Sequence, residues 1–234
     1  THRFPFDRAE DAYALVTERT EPHLGVVLDY GNRPEAPTSQ LRIPIVVSRG
    51  KPKAGCVLGV IGAGSFARTV LLPALKSVPD CRLHTIATQR GISAEHSQQS
   101  FGFEFSAADE AAVLDNDEIN AVLITTPHSS HAALTAAALA RGKNVLVEKP
   151  LALDRVELNS VIAARNASDV FFQIGFNRRF APMARTMRDR LAGLPGPKVL
   201  LLRINAGSLP PESWQNAPEE GNGRILGEVC HFVD

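Results

Sequence analysis

The stretch CVLGVIGAGSFAR, residues 56–68, decides the fold class of this chain. Its apolar first half is typical of a buried β-strand, and the pattern GxGxxA follows at once, ahead of a segment with helical spacing. Gly62 permits a tight turn, Gly64 has no Cβ to hold a phosphate off the backbone, and Ala67 lets the helix pack closely on the strand. Free N–H groups at the start of that helix would face negative charge. The stretch therefore predicts a dinucleotide-binding turn.

Downstream of Gly55, strand-like and helix-like segments alternate, which predicts βαβ units and a parallel sheet. The predicted strands lie at 56–61, 82–88, 103–105, 121–125, 145–147 and 170–175, with helices at 65–77, 93–100, 107–114, 129–141 and 154–166. Pro73 predicts a kink or a restart within the first of these helices. The strands are nearly continuous apolar runs, as a sheet covered on both faces requires. Residues 55–176 are therefore predicted to form a doubly wound α/β domain of the Rossmann type.

The flanking regions differ in character from this domain. Residues 7–19 have helical spacing and residues 24–30 resemble a strand, whereas the Pro- and Gly-rich residues 32–54 predict a linker. After residue 176, a helix at 181–191, a strong strand at 198–205 and a loop at 207–223 predict the start of a second region, 177–234.

The composition excludes several classes of protein. Among the 234 residues, 25 Lys and Arg balance 25 Asp and Glu, so no net positive charge would attract nucleic acid. No run of about 18 apolar residues predicts a membrane span, and residues 1–7 lack the pattern of a secretory signal. Cys56, Cys81 and Cys230 are widely spaced in apolar contexts, which predicts reduced, buried thiols of a cytoplasmic protein. Without a CxxC pair, no metal site is predicted.

The residues after the second strand bear on the choice of dinucleotide. An acid that bonds the ribose 2′-hydroxyl of NAD usually ends this strand, but here the strand ends ATQR, residues 87–90. Thr88 and Arg90 instead offer groups for a 2′-phosphate, which favours NADP over NAD; alternatively, Arg90 is an ordinary solvated side chain. Ser65 and Phe66, which open the first helix, are also predicted to contact the cofactor.

The end of strand four offers further candidates. Ligands of open parallel sheets bind at the carboxyl ends of the strands, so Thr126, Pro127 and His128 are predicted to contact the cofactor. His131 either joins them or forms a structural bond within the first turn of the next helix. His128 lies nearer the strand end and is the better candidate for a contact with cofactor or substrate.

Strand five ends in Glu148, Lys149 and Pro150. Such a Glu-Lys pair is most often a solvated surface pair, but this one follows a fully apolar strand at the carboxyl edge of the sheet. Glu148 is predicted to contact the cofactor, and Lys149 to contact the cofactor and donate to a substrate oxygen beside the nicotinamide. Pro150 would fix the turn, with a cis peptide bond as one option.

Four motifs occur in a characteristic order: GxGxxA at 62–67, TPxxxH at 126–131, GKNVLVEKP at 142–150 and GFNRRF at 175–180. In this order they resemble the glucose–fructose oxidoreductase, inositol dehydrogenase and rhizopine-catabolism (Gfo/Idh/MocA) oxidoreductase family, from about residue 55 to 234. The resemblance implies a Rossmann domain followed by an α/β domain with an open, mostly antiparallel sheet, truncated here. It also implies hydride transfer between NAD or NADP and a sugar, cyclitol or related substrate, and dimers or tetramers formed through the outer sheet face.

The resemblance implies catalytic roles for two residues. Lys149 matches the lysine of the family that contacts substrate and nicotinamide ribose, and His231 matches its catalytic histidine, a base whose ordinary pKa lies near neutrality. Alternatively, His231 packs at a domain junction. The chain departs from the family at Gly227, where many members have Asp, and at His128, where many have Asn. Glu228 is predicted to supply the missing carboxylate if it faces the cleft.

Two further expectations concern the class of protein and its boundaries. The missing acid at Gly227 leaves open a dinucleotide-binding module without turnover, such as a sensor or scaffold. Residues 1–31, with FPFDRAEDAY at 4–13 and GVVL at 25–28, resemble the C-terminal tail of an alcohol-dehydrogenase-like medium-chain reductase. Together with the absence of an initial Met and the abrupt end after residues 225–233, this predicts a fragment of a two-enzyme fusion.

Overall fold

The computed structural model describes residues 2–18, 21–29, 31, 55–218, 220–221 and 223–234. The chain divides into two compact units, Thr1–Val46 and Val47–Asp234. In the first unit, strand β1 (His2–Pro5), helix α1 (Ala9–Glu18) and strand β2 (Val26–Asp29) follow one another, and β1 pairs with β2 in parallel. The predicted helix and strand of this region are confirmed. The predicted linker at 32–54 lies outside the described residues.

The second unit is built on a six-stranded parallel sheet. Its strands are β3 (Cys56–Ile61), β4 (Cys81–Ala87), β5 (Phe105–Ala107), β6 (Ala121–Ile124), β7 (Asn144–Val147) and β8 (Phe172–Ile174). The order across the sheet is β5-β4-β3-β6-β7-β8, with every pair parallel. This is the doubly wound order in which the strand sequence reverses between its first and fourth strands. The predicted fold class is confirmed for this unit.

Helices cover both faces of the sheet. After the turn at 62–64, helical residues 65–75 include a π-helical segment, Ala67–Leu71, and α2 (Leu72–Leu75). The later helices are α3 (Gly91–Phe101), α4 (Ala111–Leu114), α5 (His131–Ala140), α6 (Arg155–Asn166), α7 (Pro182–Ala192) and α8 (Cys230–Val233). Val57 and Ile61 belong to one buried cluster, whereas Leu58 and Val60 belong to the other. Because alternate side chains point to opposite faces, β3 must be apolar throughout.

The helix after the glycine turn changes type where Pro73 enters it. Pro73 has no N–H and cannot close the usual α-helical bond to the preceding turn. The wider π-helical segment Ala67–Leu71 precedes it, and α2 begins at Leu72. The predicted disturbance thus takes the form of a change in helix type, with a single π-helical turn next to the proline.

Two predicted strands differ from the structure. The short strand expected at 103–105 lies at Phe105–Ala107, because Gly102 ends α3 with a φ of +79° and Phe103 is buried in the core. The strand expected at 198–205 is wrong, since these residues form no strand and Val199 is 98% exposed. A strand needs a neighbour to pair its N–H and C=O groups, and no other strand forms in the described part of 177–234. The antiparallel sheet implied for that region is therefore not seen here.

Three further observations bear on the class of protein. Cys56, Cys81 and Cys230 are free thiols of intermediate exposure, which corrects the expected full burial. None of the helices that the structure describes has both the length and the apolar character that a membrane crossing demands. In the described ranges, no three His, Cys, Asp or Glu side chains are grouped to hold a metal ion.

Candidate functional site

The glycine turn lies at the carboxyl edge of the sheet, between β3 and β6. Gly62 has a φ of +99°, and its N–H donates to the Ala87 carbonyl at 2.8 Å. The Thr125 hydroxyl donates to the Gly62 carbonyl at 2.9 Å. A Cβ at Gly62 would lie 2.7 Å from the backbone of Thr125. Gly62 is therefore required by the close approach of two strands, whatever binds outside them.

Gly64 faces an open space. A Cβ at this position would meet only the Thr125 carbonyl oxygen, at 3.9 Å. Ser65 and Phe66 are exposed in the first turn of the helix, whereas Ala67 is buried beneath it. The first N–H groups of a helix have no partner within the helix, and they carry its positive dipole end. The open backbone at Gly64 and this helix start fit the pyrophosphate of a dinucleotide.

Thr88 and Arg90 lie at the end of β4, next to the glycine turn. The Thr88 N–H donates to the Ala107 carbonyl at 3.0 Å, and its hydroxyl donates to the Arg90 carbonyl at 2.6 Å. Arg90 is exposed and has no carboxylate partner within the described residues. The structure thus leaves the Arg90 guanidinium available to an anion, while the hydroxyl proton of Thr88 is already engaged.

His131 joins the ends of two strands. It is 1% exposed, and its ring nitrogens lie 2.8 Å from the Thr126 carbonyl and 2.7 Å from the Pro150 carbonyl. Burial lowers the pKa of His131, although the bonds to these carbonyls act in the opposite direction. The Thr126 hydroxyl accepts from Ser130, which also donates to the Pro127 carbonyl. His131 is placed to position the strand ends, since neither ring nitrogen is free.

His128 occupies a different environment. It is 8% exposed, its ring centre lies 4.9 Å from that of Trp214, and its buried Nδ1 has no partner in the described part of the chain. Burial lowers the pKa of His128 to about 4, with the charge of Lys149 acting in the same direction. His128 is therefore a neutral imidazole near pH 7. A Cβ at Gly227 would lie 3.5 Å from its Cε1, so the two departures from the family are neighbours in space.

Lys149 connects the sheet edge to the π-helical segment Ile225–Val229, which precedes α8. Its Nζ donates to the Gly227 carbonyl at 2.6 Å. The peptide bond between Lys149 and Pro150 is cis, which is one of the two predicted forms. The Glu148 carboxyl lies against Gly175, where a Cβ would be 2.7 Å from Oε1, and burial raises the pKa of Glu148. Lys149 thus reaches across to the segment that carries His231, while Glu148 points to the neighbouring strand end.

His231 lies half-buried one helical turn beyond Gly227. Its ring packs edge-on against Phe176, with centres 6.3 Å apart, and its buried Nδ1 has no partner among the described residues. Burial lowers the pKa of His231, and the charges of Lys149 and Arg178 lower it further, against a smaller opposite effect of Asp234. Both effects favour the neutral imidazole, which is the form that accepts a proton.

Glu228 lies in the same helical segment as Gly227. Its Oε1 lies 3.3 Å from Nε of Arg224, four residues earlier, and no ion pair joins Glu228 to Lys149 in the described ranges. The catalytic role of Glu228, which requires that it face the cleft, stays a prediction.

Sequence reasoning missed two features of this site. Trp214, in the loop that follows residue 206, packs on His128, and Arg179 forms an ion pair with Asp234, with Nε 2.8 Å from Oδ2. Trp214 is the single tryptophan of the chain and lies in a Pro- and Gly-rich segment. Such a segment gives little indication that the tryptophan packs against the sheet edge. Neither contact could be found without knowing how 206–234 returns to the sheet.

A doubly wound sheet with a glycine turn at its switch point defines the class of dinucleotide-binding proteins to which this chain belongs. The family described as "Oxidoreductase family, NAD-binding Rossmann fold", Gfo/Idh/MocA, matches residues 57–176. The chain belongs to this family, as its four motifs predict.

Several relatives are similar over most of the chain. The 1,5-anhydro-D-fructose reductase of Ensifer adhaerens is 28% identical over 75% of this chain and 54% of its own length. The myo-inositol 2-dehydrogenase of Thermotoga maritima is 27% identical over 76% of this chain and 52% of its own length. A solved 3-ketoreductase from Actinomadura kijaniata in complex with NADP is 31% identical, with a TM-score of 0.55 over 59% of this chain and 44% of that protein. The chain spans about half the length of the curated relatives it matches.

Proposed function

We propose that this protein is an NAD(P)-dependent oxidoreductase that transfers a hydride between the nicotinamide and a hydroxyl or carbonyl carbon of a sugar, cyclitol or related substrate. The observation that carries the proposal is the 2.6 Å bond from Lys149 Nζ to the Gly227 carbonyl. It brings a lysine at the carboxyl edge of the sheet to the helical segment that holds His231. The reductase and dehydrogenase relatives support the same reaction class.

Lys149 and His231 have different chemical roles in the proposed reaction. The Lys149 ammonium donates a hydrogen bond to the reacting oxygen and so stabilises the negative charge that develops on it. His231 takes the hydroxyl proton on oxidation and returns it on reduction, and its lowered pKa keeps it in the accepting form near neutrality. The bound nicotinamide supplies the hydride acceptor or donor. Glu228, whose Oε1 lies near Arg224, supplies the carboxylate that is missing at Gly227 and assists the proton transfer when it faces the cleft.

The cofactor is held by residues around the switch point. Backbone groups from Gly64 to Ala67 bind the pyrophosphate, and Thr126, Pro127 and His128 line the opposite strand end. Glu148, which follows β7, lies at the same edge of the sheet. His131 holds the ends of β6 and β7 together through its contacts with the Thr126 and Pro150 carbonyls. Arg90, which is exposed and without a carboxylate partner in the described part, binds the 2′-phosphate of NADP with Thr88 beside it. The proposal therefore favours NADP over NAD.

The test is an assay of the protein with NADP⁺ and a panel of cyclitols and 1,5-anhydro sugars, followed by nicotinamide absorbance. Lys149→Ala and His231→Ala should each lower turnover at least about 100-fold, the range typical of a lost general acid or base. Both should still bind NADPH. Lys198→Ala is a matched control, because Lys198 is exposed and, among the described residues, its ammonium donates only to the nearby Gly196 carbonyl.

Undiminished turnover in Lys149→Ala would contradict the catalytic assignment. If the folded wild-type protein binds NADPH but turns over no member of the panel, the alternative of a binding module without turnover is favoured. That alternative has one supporting observation, the absence of a carboxylate at Gly227 beside Lys149.

The proposal extends to the first unit and to the assembly. The parallel β1–α1–β2 arrangement supports residues 1–31 as the tail of a medium-chain reductase fused to this enzyme. Sequencing the upstream coding region tests this idea: a reductase domain in the same frame supports it, and any other sequence contradicts it.

The free thiols are consistent with a cytoplasmic enzyme. We expect analytical sedimentation to show a homo-oligomer.

A further inference from the structure

Two of the three thiols meet at the edge of the sheet that lies opposite the glycine turn. Cys56 begins β3 and Cys81 begins β4, and they are register partners of adjacent parallel strands. Their sulfur atoms are 3.8 Å apart, with the Cys81 thiol donating to Cys56. Register partners point to the same face of a sheet, so the two side chains share one surface. Both have intermediate exposure, which admits a small reagent.

The backbone around this pair has the dimensions of a disulfide site. Neighbouring strands lie about 4.8 Å apart, within the range of roughly 4.4–6.8 Å that separates the Cα atoms of bonded cysteines. The Cys56 N–H donates to the Asp80 carbonyl at 3.2 Å. Gly55 and Asp80, the residues just before the two cysteines, have φ values of +138° and +60°. The bond from the Cys56 N–H to the Asp80 carbonyl holds the two strand starts side by side, so formation of a disulfide needs mainly a rotation of the two side chains.

The two thiols are not equivalent. Cys81 donates its proton towards the Cys56 sulfur, and this hydrogen bond favours Cys56 as the attacking sulfur. Burial, together with the neighbouring Cys56, raises the pKa of Cys81 to about 11. Cys81 is therefore the thiol expected to react second, once a leaving group is attached to Cys56. Cys230 is outside this pair, since it begins α8 and its thiol donates to the Leu226 carbonyl at 3.0 Å rather than to either of these sulfur atoms.

We propose that Cys56 and Cys81 form a redox dithiol that closes to an intramolecular disulfide when it meets a disulfide oxidant such as oxidised glutathione. The Cys56 thiolate attacks one sulfur of the oxidant, the sulfur–sulfur bond breaks, and one glutathione thiolate leaves. The Cys81 sulfur then attacks Cys56, gives its proton to solvent, and displaces the second glutathione thiolate. Two protein thiols are oxidised to one disulfide, and the oxidant is reduced to two glutathione molecules.

The new bond would stabilise the sheet without blocking the dinucleotide site. It joins the amino ends of β3 and β4, whereas the glycine turn and residues 88–90 lie at their carboxyl ends. It would also close a loop that contains the whole glycine turn and so restrict the unfolded chain. We expect the thermal midpoint to rise by roughly 5 °C and NADPH affinity to stay within about twofold.

The experiment treats the folded full chain with oxidised glutathione, blocks free thiols by alkylation and maps the peptides by mass spectrometry. The expected product is a peptide pair linked through Cys56 and Cys81, two hydrogens lighter than the reduced pair, which dithiothreitol reverses. Cys230→Ser is the matched control and should form the same link. Cys81→Ser should accumulate glutathione on Cys56, because the second thiol is missing.

Three results would overturn the proposal. The first is a folded wild-type chain whose Cys56 and Cys81 peptides are both recovered as alkylated thiols after oxidation. The second is stable glutathione on Cys56 or Cys81 of the wild-type chain without the intramolecular link. The third is that glutathione becomes attached to Cys81 in the Cys56→Ser variant but not to Cys56 in the Cys81→Ser variant. Far-ultraviolet circular dichroism of each variant ensures that loss of the link is read only from folded protein.

Discussion

At the scale of single residues, two glycines in one turn have different functions. Gly62 adopts a φ of +99° and leaves no space for a side chain beside Thr125, whereas Gly64 is open towards the space where a phosphate would bind. The sequence motif predicts a tight turn at Gly62 and an open backbone at Gly64. The structure shows the contacts behind each role, with Thr125 against Gly62 and open space at Gly64.

This difference can be measured with two alanine variants. Gly62→Ala should lower the free energy of unfolding by about 2 kcal/mol or more, through backbone strain and overlap with Thr125. Gly64→Ala should change it by less than about 0.5 kcal/mol, while weakening NADPH binding. Urea unfolding and a fluorescence titration of both variants check this, and equal stability losses in the two would contradict the assignment.

The buried His128 predicts a specific pH dependence. Its pKa is about 4 in the folded chain and about 6.5 when exposed. The unfolded chain therefore binds more protons in this window, and stability falls as the pH drops from about 6.5 towards 4. His128→Asn should lose less unfolding free energy than the wild type between pH 7 and pH 5, as measured by urea unfolding. His96→Asn, at an exposed position, is the control; a steeper or unchanged fall in His128→Asn would be inconsistent with a buried neutral imidazole.

At the scale of elements, the central strands β3 and β6 could be located from the sequence because they are apolar throughout and almost entirely buried. Residues 198–205 are also rich in apolar side chains, yet they form no strand, because no neighbouring strand pairs with them in the described part of the chain. The composition of a segment indicates its tendency to form a strand, but a strand also needs a neighbouring strand with which to pair. The shift of β5 has a local cause, since Phe103 enters the core and the strand begins two residues later.

One buried lysine links the loop before β6 to the start of β7. Lys143 is 5% exposed, and its Nζ donates to the carbonyls of Asn116 and Ile119, each at 2.8 Å. Lys143→Met would leave both carbonyls without this donor and should cost about 2 kcal/mol of unfolding free energy. Arg141→Met breaks an exposed ion pair with Asp115 and should cost less than about 1 kcal/mol. Urea unfolding of both variants gives the comparison, and a larger loss in Arg141→Met would refute the role of Lys143.

At the scale of the whole molecule, the parallel topology explains why the candidate site could be predicted in part. Gly62, Thr126 and Lys149 lie far apart in the chain, but each follows a strand, and parallel strands end at one edge. The contacts of Trp214 with His128 and of Lys149 with Gly227 follow from the path of 206–234, for which the sequence has no periodic pattern. The role of Glu228 stays a prediction, and its described ion pair is with Arg224.

Trp214, the single tryptophan, is a fluorescent probe of the carboxyl edge of the sheet. Trp214 packs on His128 at the end of β6, where the nicotinamide half of a bound dinucleotide is expected. The measurement is a titration of the wild type and of Gly64→Ala with NADPH and with NADH, exciting Trp214 and recording nicotinamide emission. We expect saturable sensitised emission, with a higher affinity for NADPH than for NADH. In Gly64→Ala the NADPH affinity should fall about tenfold, equivalent to about 1.4 kcal/mol. Absence of saturable emission from the folded wild type, or equal affinity in Gly64→Ala, would contradict the claim that this edge binds the dinucleotide.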